Sequence, residues 1–200
     1  MKKHKVFILL LLTSLLFTHS CTVLQQAQQA MNLINCEFRL KSADQIQVAG
    51  INVQNVKKLT DLSITDGAKL MAAVAGNTLP LTFTLNMEAR NPNAAAAGLS
   101  SMDWIMLIDD IEMTRGKLAR SFTIPAKGGT AVIPVQMNID LKKVLKGKSA
   151  EAIANFGLNL AGQGAQPTRM ALKIKPSINV GGSPLSFPDY ITVRKDFVSK

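Results

Sequence analysis

The sequence predicts a mainly β fold, an immunoglobulin- or fibronectin-like antiparallel β-sandwich with a short helical insert. Three observations predict it. Leu81, Phe83, Leu85, Met87 and Ala89 alternate with Thr82, Thr84, Asn86, Glu88 and Arg90, and side chains of a strand point to opposite faces with period two. Val135, Met137, Ile139 and Leu141 alternate in the same way with Gln136, Asn138 and Asp140. Two strands with one apolar face each bury those faces against a second layer, so two sheets are expected to share one core. Turn-forming glycine, proline and Asn/Asp recur about every ten residues between the apolar runs, the rhythm of short strands joined by loops.

Taken in order, residues 22–34 (TVLQQAQQAMNLI) are rich in Gln and Ala and hold no acidic residue. They read as a transiently helical tether ahead of the domain. Phe38, Leu40, Ile46, Val48, Ile51 and Val53 form the first extended segment, with Ala49-Gly50 as a bend or bulge. Residues 55–65 continue it through Val56, Leu59, Leu62 and Ile64. Asp66 then caps a short helix over Gly67 to Ala75, stopped by Gly76-Asn77. Pro80 opens the central strand and Asn91-Pro92-Asn93 ends it, because proline donates nothing to a ladder and restricts the residue before it. Ala94 to Leu99 reads as a small-residue loop. Ser101 to Ile108 and Ile111 to Leu118 form a hairpin with Asp109-Asp110 at its tip. Phe122 to Pro125 leads through a glycine turn into the strand ending at Leu141. Over 141–160 the apolar spacing becomes helical, with Gly147 splitting two short helices and Ser149 capping the second. Met170, Leu172 and Ile174 mark a strand closed by Pro176, extended if Ile178 and Val180 join it. Tyr190 to Val198 is the last strand, with Arg194 and Lys195 suiting a charged edge. Residues 37–200 thus make one domain.

Met1 to Lys5 is basic and residues 6–17 are an apolar run too short to span a bilayer comfortably. Together they read as a signal peptide over residues 1–20. Ser20 directly precedes Cys21, and a cysteine closing such a segment resembles the lipobox of bacterial lipoproteins. Thr18 and His19 stand where a tight lipobox opens on an aliphatic residue. The resemblance implies that the Cys21 thiol is acylated with chains such as palmitate, and that Cys21 becomes the mature N-terminus, followed by a tether to residue 36. Surface-exported lipoproteins resemble one another in carrying acidic residues just after this cysteine. Their absence here implies an outer-membrane anchor facing the periplasm. An ordinary secretory signal cut near Ser20, leaving a soluble protein, is the alternative, and a retained transmembrane helix comes third.

Loss of residues 1–20 takes Lys2, Lys3 and Lys5 with it and lowers the formal charge from +10 to +7. It also removes His4 and His19, the two histidines of the chain. A mature chain without histidine has no Ser–His or Cys–His nucleophile and no histidine metal site. Acylation of Cys21 leaves Cys36 as the lone thiol, a small buried hydrophobe by expectation. Without acylation the two could pair, though their spacing does not argue for it.

The order of motifs resembles the group 2 late embryogenesis abundant family, whose module is also called the water-stress and hypersensitive-response (WHy) domain. It rests on the strand ending in Asn91-Pro92-Asn93, Trp104 in the aromatic position, and a hairpin with Gly116. Ile124-Pro125-Ala126, Gly129-Thr130 and a strand ending in Asp140-Leu141 follow. The match covers about residues 38–176. Ala94 to Ala97 depart from it, being small where the family is often bulkier. The resemblance implies a sandwich without catalytic residues, acting in stress tolerance, envelope maintenance or binding, with lipid contact suggested for membrane-tethered relatives.

Nothing in the residue chemistry demands an enzyme or a cofactor. Asp109, Asp110 and Glu112 lack the ligand number and spacing of a calcium loop, and Gly128-Gly129 precedes neither Lys-Ser/Thr nor a helix. Asp103 and Asp140 have no defined carboxylate partner. Lys142, Lys143, Lys146 and Lys148 with Lys173, Lys175, Arg194 and Lys195 suggest a cationic surface, read either as attraction to anionic lipid headgroups or as solvated edge charge. One Trp, one Tyr and an export signal speak against nucleic acid. Methionines such as Met87, Met102 and Met137 read as core filler. The expected function is a non-enzymatic, lipid-anchored envelope protein with a binding or stress-protective role. Its expected partner loops are Asn91, Pro92, Asn93 and Asp109, Asp110. The alternative is an acyl-chain-binding module with an apolar groove beneath Ile153 and Phe156.

Overall fold

The computed structural model describes residues 22–56, 59–108, 110–144, 146 and 168–197. Strand β3 (Pro80–Asn91) is its axis. It pairs antiparallel with β1 (Glu37–Val48) on one side and, from Pro80↔Asp140 to Asn91↔Gly129, with β8 (Gly129–Asp140) on the other. The hairpin turn at Ala49 (φ 52°) and Gly50 (φ 75°) returns β1 into the short β2 (Ile51–Asn52). Two successive left-handed residues match the twist of the flanking strands. The first sheet therefore runs β2-β1-β3-β8.

The second sheet is built on β5 (Ser101–Ile108), which pairs with β6 (Ile111–Leu118) and β9 (Thr168–Val180). The far edge of β9 is shared by β11 (Ile191–Phe197), opposite residues 168–174, and β10 (Ser183–Ser186), opposite residues 177–180. A two-stranded ladder of β4 (Ala97–Leu99) and β7 (Phe122–Ile124) completes the strands. The inward rows of the sheets, among them Leu81, Leu85, Ile133, Val135, Leu172 and Ile174, form one apolar core. Met87, Met102, Met106, Met137 and Met170 all lie within it, each at most 2% exposed. The expected mainly β sandwich is thus observed.

Several elements differ from the sequence expectations. Residues 22–34 are a helix, α1, that buries Ala30, Asn32 and Leu33 against the sandwich rather than trailing from it as a tether. Helix α2 (Ile64–Ala75) begins one turn earlier than expected. Its N-cap is Ser63, whose side-chain oxygen accepts from the Asp66 backbone N–H, so Asp66 is an N3 residue and not the cap. Ala97–Leu99, expected as loop, pairs with β7, and α1 lies so close above it that a Cβ added at Gly98 would stand 2.9 Å from the Gln29 side chain. Pro176 does not close a strand: β9 passes through it to Val180. Its carbonyl accepts from Phe187 N at 3.0 Å, and its missing N–H falls at the seam between β10 and β11, where no ladder bond is needed. Of the helical insert expected over 141–160, the described part is α3 (Leu141–Val144). Gly147, Ser149, Ile153 and Phe156 lie outside the described residues, as do Cys21 and Asp109.

Candidate functional site

The motif residues of the chain are occupied with holding the fold. Asn91 is fully buried. Its Nδ2 donates to Ala95 O (2.9 Å) and Ile124 O (3.1 Å), and its Oδ1 accepts from Asn93 N at 3.0 Å. Asn93 Nδ2 donates in turn to Asn32 O of α1 at 2.8 Å, while Asn32 Nδ2 reaches Ala96 O at 3.0 Å. Asn91 and Asn93 are therefore spent on closing the loop and clamping α1, and of the three only Pro92 is largely exposed. Gly116 lies opposite Trp104 across the hairpin, where an added Cβ would stand 2.5 Å from the indole Cζ2. Asp140 Oδ1 accepts from the backbone N–H of Leu79 and of Lys142, each at 3.1 Å.

The lone described cysteine is equally inert. Cys36 is buried, its Sγ 3.4 Å from Asn32 O, and burial pushes the thiol up to about 11. A thiol held protonated at neutral pH is a poor nucleophile. Among the described residues no group of three or more His, Cys, Asp or Glu side chains gathers in a metal-binding arrangement, and no helix is long and apolar enough to cross a membrane.

The outer face of the second sheet carries the candidate site. Cross-strand register sets its side chains in rows over β6, β5, β9 and β11: Lys117–Asp103–Lys175, then Arg115–Ile105–Lys173–Thr192, then Glu112–Leu107–Ala171–Arg194. Arg169 continues the β9 column. Among the residues whose side chains are described, six basic side chains thus face three carboxylates, counting Asp110 at the hairpin tip, and Asp196 stands opposite Arg169 in register. The carboxylates are unevenly used. Glu112 is gripped by both arms of Arg115 (2.7 and 2.8 Å), and that hydrogen bond holds its carboxyl below the usual range. Asp110, in the left-handed conformation at φ 64°, lies 3.5 Å from Arg194 Nη1 and 4.0 Å from Arg169 Nη2. Lys117, Lys173 and Lys175 form no ion pair among the described residues, and Lys175 Nζ stands 5.9 Å over the half-exposed Tyr190 ring. The face offers positive charge around an aliphatic centre of Ile105 and Leu107, chemistry suited to anionic groups on a partly apolar partner.

Two expected groupings are redistributed by the topology. Lys173, Lys175 and Arg194 do come together, joined by Arg115, Lys117 and Arg169, which the sequence reading left apart. Lys142 and Lys143 sit on α3 at the end of the other sheet, where the Lys142 ammonium bonds Gly76 O. The signal for the missed members was the outward parity of Arg115 and Lys117, legible only once β6 is paired beside β5. By contrast, the outer face of the first sheet near β2 is uncharged. There Gln45, Gln47, Gln54, Thr82, Gln136 and Asn138 line an open depression of about 560 Å³.

No protein-family model matches the sequence, and no curated protein matches it. Solved structures do. The chain is similar to a protein from Archaeoglobus fulgidus at 12% identity and TM-score 0.37, over 80% of this chain and 98% of that one. It is similar to an Arabidopsis thaliana protein at 11% identity and TM-score 0.38, over 80% and 76%. A candidate late embryogenesis abundant (LEA) protein aligns at 13% identity and TM-score 0.35, over 94% and 84%. At these values the fold stands on the strands and sheets described above.

Proposed function

We propose that this chain is a non-enzymatic, lipid-anchored envelope protein of the WHy type, which binds an anionic envelope component through the outer face of its second sheet. The carrying observation is the charge balance of that face, where basic side chains outnumber the described carboxylates and Lys117, Lys173 and Lys175 form no ion pair among the described residues. Asp103 does lie between Lys117 and Lys175 in register, and Lys173 adds to Arg115 in lowering the pKa of Glu112. The ordered motifs from Asn91 to Asp140 support the family reading, and their use as structural fasteners agrees with a scaffold role for those turns. The signal-like residues 1–20 and Cys21 support the anchor, with the mature protein facing the periplasm.

The test compares the mature chain with a triple variant, K117Q/K173Q/K175Q, for binding to phosphatidylglycerol vesicles and to polyglutamate over a salt series. A basic residue near an anionic membrane surface contributes about 1 kcal/mol, so the variant is expected to bind the anionic probe roughly a hundredfold more weakly at low salt. Vesicle binding alone assigns the partner to headgroups, and polyglutamate binding alone to an acidic polymer. Equal binding by the two proteins, or none by either, overturns the proposal.

A further inference from the structure

Helix α1 has two faces, and the fold uses one. Ala30 and Leu33 are buried, Gln26 Oε1 accepts from Gly181 N at 2.9 Å, and Gln29 lies close over Gly98. The helix is thereby laid across one end of the sandwich, from the β9–β10 turn at Gly181 to the loop at Asn93. The other face carries Leu24 and Met31, seven residues apart and so nearly in line on a helix of 3.6 residues per turn, with Ile34 one turn further. These side chains are 70%, 64% and 64% exposed. Large apolar side chains in a row at that exposure need a reason, because single ones are ordinary but an aligned set marks an apolar partner.

What precedes the helix supplies the reason. Its first residue directly follows Cys21, and residues 6–17 form the apolar run of the leader. With Cys21 acylated, as in the anchored reading proposed above, α1 starts at a bilayer surface. The helix also carries no charged residue over 22–34, so its outer face, polar at the exposed amides of Gln25 and Gln28, brings no charge to the headgroup–acyl boundary.

We infer that α1 is an interfacial helix: Leu24, Met31 and Ile34 enter the lipid surface while the opposite face grips the sandwich, fixing the orientation of the domain on the membrane. This rests on the anchored reading proposed above. An amphipathic helix lying in the interface buries its apolar face a few ångströms into the lipid, and a second membrane signal of this kind converts a single acyl anchor into a stable attachment. Because α1 is clamped by Asn93, Gln26 and Leu33, the sandwich follows the helix. The cationic sheet face then holds a constant angle to the bilayer instead of tumbling on a leash.

The test uses the full chain, exported and matured in a bacterial host and reconstituted in neutral phosphatidylcholine vesicles. Single cysteines at Leu24, Met31 and Ile34, with Val132→Cys as a control on the first sheet, carry an environment-sensitive fluorophore. Buried Cys36 stays unlabelled. Labels on α1 are expected to be blue-shifted, shielded from an aqueous quencher and quenched by a lipid-borne one, and the control to be quenched from water. The variant L24Q/M31Q/I34Q alters only exposed positions, so its circular dichroism is expected to match wild type. Its vesicle retention without the acyl chain is expected to fall at least about tenfold. Labels at 24 and 31 that remain open to the aqueous quencher on vesicles overturn the inference. So do labels shielded equally before vesicles are added, which would mean a second copy of the chain covers the helix. Intact mass of the matured protein reads the anchor separately. An unacylated, cleaved chain defeats the anchored reading, whereas an acylated chain with water-exposed labels defeats only the interfacial helix.

Discussion

Glu88 sits on the outer side of β3 with Arg39 Nη2 at 2.5 Å and Lys41 Nζ at 3.2 Å, yet only 10% of its side chain is exposed. Hydrogen bonds from Lys41 and then Arg39 lower its pKa below the ordinary 4.5. A carboxyl whose folded pKa is depressed lends stability above its unfolded value, and that stability is lost as pH falls through the folded one. Urea unfolding midpoints are therefore expected to drop between about pH 5 and pH 3, and to drop less steeply in Glu88→Gln. Equal slopes in the two proteins would remove Glu88 from the acid response. Gly116 makes the steric counterpart. A methyl there meets the indole at 2.5 Å, so Gly116→Ala is expected to cost about 1–3 kcal/mol. It should also shift the emission of Trp104, the chain's one tryptophan, toward that of a solvated indole. Residues such as these are named in the sequence but their jobs are not. The alternation of β3 announced that Glu88 points outward. That it would be covered by two cations depends on β1 lying beside it with Arg39 opposite Glu88, a long-range pairing that local pattern does not encode.

At the scale of elements, strands were read well wherever one face was apolar and the other polar, because period-two alternation is a local record of burial. β3 and β8 are of this kind, whereas β5 carries Ile105 and Leu107 on its outer face. Helix α1 was missed as a packed element for the converse reason. Its buried face is made of Ala30, Asn32 and Leu33, too small and polar to stand out from the exposed Leu24, Met31 and Ile34, and its partners, the Ala96 carbonyl and the Asn93 side chain, are some sixty residues away. Pro176 misled in a second way, since a strand edge divided between two neighbours can hold a proline at the division. The docking of α1 has a direct test. Leu33 is fully buried, and truncating such a leucine leaves a cavity as well as lost transfer energy. Leu33→Ala is expected to destabilise the whole domain by about 2–5 kcal/mol, measured by chemical denaturation. A tether would show no change.

For the molecule as a whole, the two outer sheet faces are chemically unlike. One is cationic around Ile105 and Leu107; the other has uncharged residues lining the depression around Gln45 and Gln136 and ion pairs at Glu88 and Glu37. Composition announced a basic protein, but which lysines share a face was decided by the order β6-β5-β9-β11. The acyl-groove reading depended on Ile153 and Phe156, which lie outside the described residues. Met87, Met102, Met106, Met137 and Met170 are packed between the sheets, whereas Met71 on α2 is exposed rather than core filler.

The split edge of β9 has a consequence for how this protein can be taken apart. Residues 168–174 depend on β11 alone for their outer ladder bonds. A chain ending at Tyr190 would bare seven residues of strand edge and open the core where Val193 is buried, an invitation to self-association. Such a fragment is expected to elute as higher oligomers in size exclusion. A synthetic peptide of the sequence ITVRKDF, supplied in trans, is expected to slot into the vacancy and return it to a monomer. The last strand would then be a detachable part, and the sandwich a receptor for its own missing piece.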